Sequence, residues 1–171
     1  RTAMAKGHVS GVVLPLYVPD EVRAEGPRIE DHLGMLSTLD RLLEQQGSPF
    51  ASFDPAEAPR PGSVKVFVSF EGAGAFAEEP QRIDAFFEHG LRLVGLVHMH
   101  DNALGTSSTG AAKNRGKEGL TEKGKVLAHR VYDQGGLVDV SHLSDAGFAD
   151  LVPIAKAHGA LYLLDACQSV G

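Results

Sequence analysis

Val64-Lys-Val-Phe-Val-Ser-Phe-Glu71 is a β-branched and aromatic run that ends in a carboxylate. Such a composition favours a strand over a helix. Two later runs repeat the arrangement. Leu93-Val-Gly-Leu-Val97 leads into His98, and Leu137-Val-Asp-Val-Ser141 leads into His142. A helical pattern separates each run from the next. Strands that alternate with helices form a parallel sheet with right-handed crossovers. In such a sheet Glu71, His98 and His142 all emerge at the carboxyl edge, where α/β proteins build their sites.

The flanking chain extends the alternation in both directions. His8 to Val18 reads as a buried strand, made irregular by Pro15 and ended by Pro19. Residues 29–46 place Ile29, Leu33, Leu36, Leu39 and Leu43 three or four apart, the spacing of a helix that Gly47 and Pro49 stop. Residues 48–63, rich in Pro, Ala and Ser, read as an exposed connection. After Glu71, Gly72-Ala-Gly74 gives a flexible, close-packing turn. Pro80 suits the first turn of a helix whose buried face is Ile83, Phe86 and Phe87, capped by Gly90. The next strand covers 91–97. Residues 101–119 form a connection long enough to be a functional lid. Thr121 and Glu122 open a helix that Gly135 and Gly136 end, and the strand at 137–141 follows. Ser144 or Asp145 caps a helix with a stripe of Phe148, Leu151, Val152 and Ala155. Gly159 ends it, and Ala160 to Leu164 is the last strand.

The pattern is about five parallel strands alternating with helices. A (β/α)8 barrel and a doubly wound sheet both fit it, but five strands are too few to close a barrel of ~250 residues. The expectation is one incomplete, barrel-like α/β domain over residues 1–171, and a piece of a longer protein.

Bulk properties narrow the function. Hydrophobic residues make up 43% and charged residues 22%, an ordinary globular composition. A net charge of −6 and a pI near 5.7 argue against nucleic acid or an anionic membrane as partner. No apolar run approaches the ~20 residues that span a bilayer. The lone cysteine, Cys167, excludes an internal disulfide and fits a reducing, cytoplasmic compartment. It reads as a small core residue.

Glu71, His98 and His142 together form a mixed carboxylate and imidazole set suited to a divalent ion such as zinc. The chemistry implied is hydrolysis by a metal-bound water. His100 competes with His98, because a His-x-His spacing is itself a metal-ligand pattern, and Asp101 or Asn102 could orient either ring. His8, His32, His89, His129 and His158 are expected at the surface. Gly72-x-Gly74 lacks the rest of a dinucleotide fingerprint, and Gly105 to Gly110 lacks a phosphate-loop pattern.

Four stretches in this order resemble the membrane dipeptidase (renal dipeptidase) family of zinc metallopeptidases. They are Val68-Ser-Phe-Glu71-Gly72, Gly90-Leu-Arg-Leu-Val-Gly-Leu-Val-His98, Gly119-Leu-Thr-Glu-Lys-Gly124 and Val138-Asp-Val-Ser-His142-Leu-Ser-Asp145. The resemblance covers roughly residues 7–158 and implies an amidohydrolase-like barrel, two zinc ions and a small peptide substrate. It implies that Glu71 bridges the metals, that His142 is a ligand of one, and that His98 contacts substrate and stabilises the tetrahedral oxyanion. The chain departs from the family twice. The His-x-Asp pair of the first barrel strand would lie before Arg1. The last strand runs into Asp165-Ala-Cys-Gln168-Ser rather than a Ser-His-Ser-like motif. Only part of the metal shell is therefore expected, and the uncovered first-strand position predicts an exposed apolar edge and a dependence on a partner, possible as a homo-oligomer.

Residues 158–171 resemble instead the cofactor strand of class V aminotransferases and cysteine desulfurases. There Asp165 would pair with the pyridine nitrogen of pyridoxal phosphate and Gln168 would touch its ring oxygen. The Schiff-base lysine that should follow is not in the chain. A pyridoxal-phosphate enzyme and a non-catalytic half-barrel are the two rival readings.

Overall fold

The computed structural model describes residues 3–54, 56–57, 62–110 and 118–163. An all-parallel sheet of six strands forms its centre: β1 (Gly11–Tyr17), β2 (Phe50–Ser52), β3 (Val64–Glu71), β4 (Leu91–Gly95), β5 (Leu137–Asp139) and β6 (Tyr162–Leu163). The strands follow one another in space as β1-β3-β4-β5-β6, with β2 added to β3. This is the arc of a (β/α)8 barrel. The helices are α1 (Ala3–Lys6), α2 (Ile29–Glu44), α3 (Asp84–Glu88), α4 (Glu122–Asp133) and α5 (Asp145–Ala157). Among the described residues no helix is long and apolar enough to cross a membrane.

One strand was hidden in the sequence. Within the supposed connection at 48–63, Phe50, Ala51 and Ser52 pair with Val64, Lys65 and Val66. β3 thus has β1 along one edge, and β2 followed by β4 along the other. Three residues between a Gly-Ser-Pro stretch and a polar segment carry too little period to read as a strand, and the pairing alone defines it. The helix at Pro80 is also shorter than its pattern suggests. Pro80–Ile83 is a 3-10 turn that passes into α3.

Side-chain caps place the starts of the two long C-terminal helices. Thr121 Oγ1 accepts from the Gly124 N–H at 3.1 Å, and Ser144 Oγ accepts from the Gly147 N–H at 3.1 Å. Ser144, not Asp145, is therefore the cap of α5, and each such cap is worth ~1 kcal/mol.

The core under the sheet is aromatic. Phe70 of β3 stacks on Phe76 at 5.4 Å and meets Phe86 of α3 edge-on at 5.0 Å. His32, expected at the surface, is fully buried in this cluster, 4.9 Å from the Phe70 ring. Its position on α2, one turn after Ile29 and one before Leu36, puts it on the stripe that faces the sheet. Burial pushes its pKa down, against the opposing pull of the Arg28 carbonyl and Asp31. His8, His89 and His129 are exposed as expected, while His158 is half-buried.

Among the described residues β1 has a paired neighbour on one side only, which accommodates Pro15 in its middle. Val13 and Leu14 of this strand are 50% and 38% exposed, so the predicted apolar edge is present.

Candidate functional site

The strand ends form a row across the sheet. Tyr17 pairs with Glu71, Glu71 with Gly95, Gly95 with Asp139, and Asp139 with Leu163. Glu71 stands in the row itself. His98 and His142 each lie three residues beyond it, after Gly95 and Asp139. Strands β4 and β5 are shorter than their apolar runs, so both histidines sit on the turns above the sheet edge.

These turns bring the three side chains together. His98 Nε2 lies 3.6 Å from Glu71 Oε2, and the His98 and His142 rings meet edge-on with centroids 4.3 Å apart. The His98 side chain is largely buried, while Glu71 is 40% exposed. The other His98 nitrogen, Nδ1, is buried and has no hydrogen-bond partner within the chain. An orphaned ring nitrogen of this kind costs ~1–3 kcal/mol. It retains hydrogen-bonding capacity for a bound group.

Gly72 makes the close approach possible. Its φ of +88° is a left-handed conformation, and a Cβ there would sit 3.5 Å from His98 Cβ. Its N–H donates to the Gly95 carbonyl at 3.1 Å, so the turn continues the row.

Tyr17 belongs to the same site and was missed in the sequence. Its ring packs on His98 with centroids 4.7 Å apart. Burial, and then the carboxylates of Asp20, Glu21 and Glu71, hold its hydroxyl pKa above the usual value. The available signal was positional. Tyr17 is the last residue of β1 as Glu71 is of β3, one residue before the first apolar run ends at Val18.

His100 goes elsewhere. Its Nε2 lies 3.2 Å from Glu21 Oε1 and its Nδ1 3.5 Å from Asp20 Oδ2. A local His98/His100 metal pair is thereby removed, because β4 stops at Gly95 and the chain turns between the two rings. Asp101 and Asn102 do not orient either imidazole. Asp101 Oδ1 accepts from the Ser107 N–H at 2.8 Å, and Asn102 Nδ2 donates to the Leu96 carbonyl at 2.9 Å. Both shape the loop instead.

That loop was expected as a lid, and its described parts act as a clamp. The buried Ser107 hydroxyl donates to the His98 carbonyl at 2.5 Å. The next residue, Ser108, donates its N–H to the His142 carbonyl at 2.8 Å. Thr106 Oγ1 and Ser144 Oγ share a hydrogen bond of 2.7 Å. Consecutive loop residues thus fix the backbones of both site histidines. Residues 111–117, the centre of this loop, lie outside the described residues, as do Asp165, Cys167 and Gln168, on which the pyridoxal-phosphate reading rests.

A cavity of about 560 Å³ opens beside the site, lined by Asp20, Glu21, Gly74, His100 and Asn102 among others. Among the described residues no group of three or more His, Cys, Asp or Glu side chains is placed to hold a metal ion. Glu71 and His142 carry a carboxylate and an imidazole, two donor types that divalent ions take.

The model of the membrane dipeptidase family, peptidase family M19, matches residues 2–158. An uncharacterized protein in the PQQ-III 3'region of Acinetobacter calcoaceticus is 30% identical over 102 residues, covering 54% of this chain and 30% of that protein. A solved dipeptidase described as a metallopeptidase of family M19 superposes with a TM-score of 0.71 at 26% identity, over 88% of this chain and 49% of that one. A metallopeptidase from Rhodobacter sphaeroides, solved with a phosphinate mimic of the dipeptide L-Ala-D-Ala, has a TM-score of 0.67 at 24% identity, over 88% of this chain and 51% of that one. The chain therefore spans about a third of the curated relative and about half of each solved structure.

Proposed function

This chain belongs to the membrane dipeptidase family, and we propose that it carries part of the active site of a dipeptidase-like metallohydrolase acting on a small peptide. The observation that supports this reading most is the convergence of Glu71, His98 and His142 above one row of the sheet. The family's solved members and the dipeptide mimic bound to one of them support the substrate class.

In this proposal Glu71 and His142 are metal ligands, and the metal is zinc, with two ions in the complete site. The donor chemistry fits, since imidazole nitrogen and carboxylate oxygen are both zinc ligands. Two donors are too few for a shell, so further ligands come from outside the described residues. When bound, such ions supply a water of lowered pKa and polarise a carbonyl.

The chain's own residues have separate tasks. His98 is the catalytic residue that contacts substrate. Its ring donates a hydrogen bond to the oxygen on which charge develops, a preorganised contact in a partly dry site. Tyr17 and His142 both pack against the ring. Ser107 and Ser108 hold the backbones of the two histidines, which limits the reorganisation needed at the moment of reaction. The test is hydrolysis of L-Ala-D-Ala by the metal-free protein with zinc added back. Zinc-dependent release of alanine supports the reading, and cleavage that is indifferent to chelation and zinc contradicts it.

A further inference from the structure

A second pair of histidines lies outside this site, on α4 and at the end of α5. His129 is on α4, and His158 is the residue that caps the C-terminus of α5. His129 Nδ1 and His158 Nε2 face each other at 2.8 Å. The rings are 5.1 Å apart and tilted by 56°. Asp133, one turn after His129, places Oδ1 3.6 Å from the other nitrogen of His158. Tyr132 packs against the His158 ring at 5.4 Å.

At this distance the two nitrogens form a hydrogen bond, one ring donating and the other accepting. A metal ion can bridge the same two nitrogens once they move slightly apart. We propose that His129 and His158 form a surface site for a borderline divalent ion such as zinc, nickel or copper, joining α4 to α5. With ligand bonds of ~2.0–2.1 Å in a tetrahedral shell, the two nitrogens must stand ~3.3 Å apart. The pair has to open by about half an ångström, which the exposed His129 side chain accommodates by a small rotation. Imidazole is a good ligand for these ions. Asp133 sits behind His158, 3.6 Å from its Nδ1, where its negative charge favours a cation bound at Nε2. No third carboxylate or imidazole among the described residues completes the set, so water fills the remaining positions.

The site is independent of the proposed hydrolytic centre, and the experiment keeps the two apart. Copper(II) is titrated into the metal-free protein carrying Glu71→Gln and His142→Ala, with binding followed by calorimetry and electron paramagnetic resonance. One bound ion with coupling to two nitrogens is expected, together with a rise in Tm. His129→Gln or His158→Gln in that background removes both signals while leaving the ion-free Tm and far-UV spectrum in place. Asp133→Asn weakens binding about tenfold, the low end for losing a carboxylate behind a ligating imidazole. No copper bound in the background protein, or equal binding after His129→Gln and His158→Gln, overturns the proposal.

Discussion

His98 presents Nε2 to the Glu71 carboxylate across 3.6 Å, although Glu71 ends β3 and His98 lies on the turn after β4. The contact joins the proposed oxyanion contact to a proposed metal ligand. His98→Gln keeps an amide of similar reach but removes the imidazole. The expected loss in kcat is about 10²–10³-fold, the usual effect of deleting one oxyanion donor. Steady-state kinetics with L-Ala-D-Ala check it, with KM changing much less than kcat.

Ser107→Ala removes the hydroxyl that holds the His98 carbonyl. The lost hydrogen bond lowers stability by ~1 kcal/mol. Misplacement of the ring lowers turnover by about one to two orders of magnitude, since small displacements of a catalytic group are costly. Denaturant unfolding and kinetics on the same variant separate the two effects.

Two groups give stability a pH dependence in separate windows. Burial lowers the folded pKa of His32, so the unfolded chain takes up a proton first as pH falls. Stability is full above the unfolded value of about 6.5 and declines below it, by at most ~1.4 kcal/mol per pH unit. His32→Phe, which suits the aromatic cluster, abolishes this decline. The Arg23 guanidinium and the Arg28 N–H hold Asp31 down to about 2 from 3.8. Its contribution is present above the unfolded value and disappears as pH falls through about 2. Chemical denaturation over a pH series resolves the His32 window.

Two glycines on helices predict opposite results. A Cβ on Gly124 of α4 would lie 2.0 Å from the Leu104 carbonyl oxygen, so Gly124→Ala forces the backbones apart and costs ~1–3 kcal/mol. A Cβ on Gly34 of α2 meets nothing within 4 Å. Gly34→Ala removes backbone freedom from the unfolded chain and stabilises by ~0.5–1 kcal/mol. Thermal melts of both variants check the sign of each effect.

The alternation of strands and helices was legible because long apolar runs and clear helical stripes carry period over many residues. β2 was not, since three residues have no measurable period and owe their strand to the neighbouring edge of β3. His32 was misread for a related reason. Residue type argued for the surface, while its place on the α2 stripe, between Ile29 and Leu36, argued for the core, and the stripe prevailed. At the site, Glu71, His98 and His142 could be found because each follows an apolar run. Tyr17 lies within such a run, and a tyrosine near a strand end has no chemical signature until the row Tyr17-Glu71-Gly95 sets it beside His98. The clamp by Ser107 and Ser108 depends on a loop returning to two distant turns, which no local pattern encodes.

The central claim divides the trio into two metal ligands and one substrate contact. Zinc content and L-Ala-D-Ala turnover, measured together on the parent protein and on Glu71→Gln, His142→Ala and His98→Gln, test it most directly. The account predicts that Glu71→Gln and His142→Ala lose zinc and turnover together, whereas His98→Gln keeps its zinc and loses turnover. Zinc retained in full by Glu71→Gln and His142→Ala, or lost from His98→Gln, would contradict it.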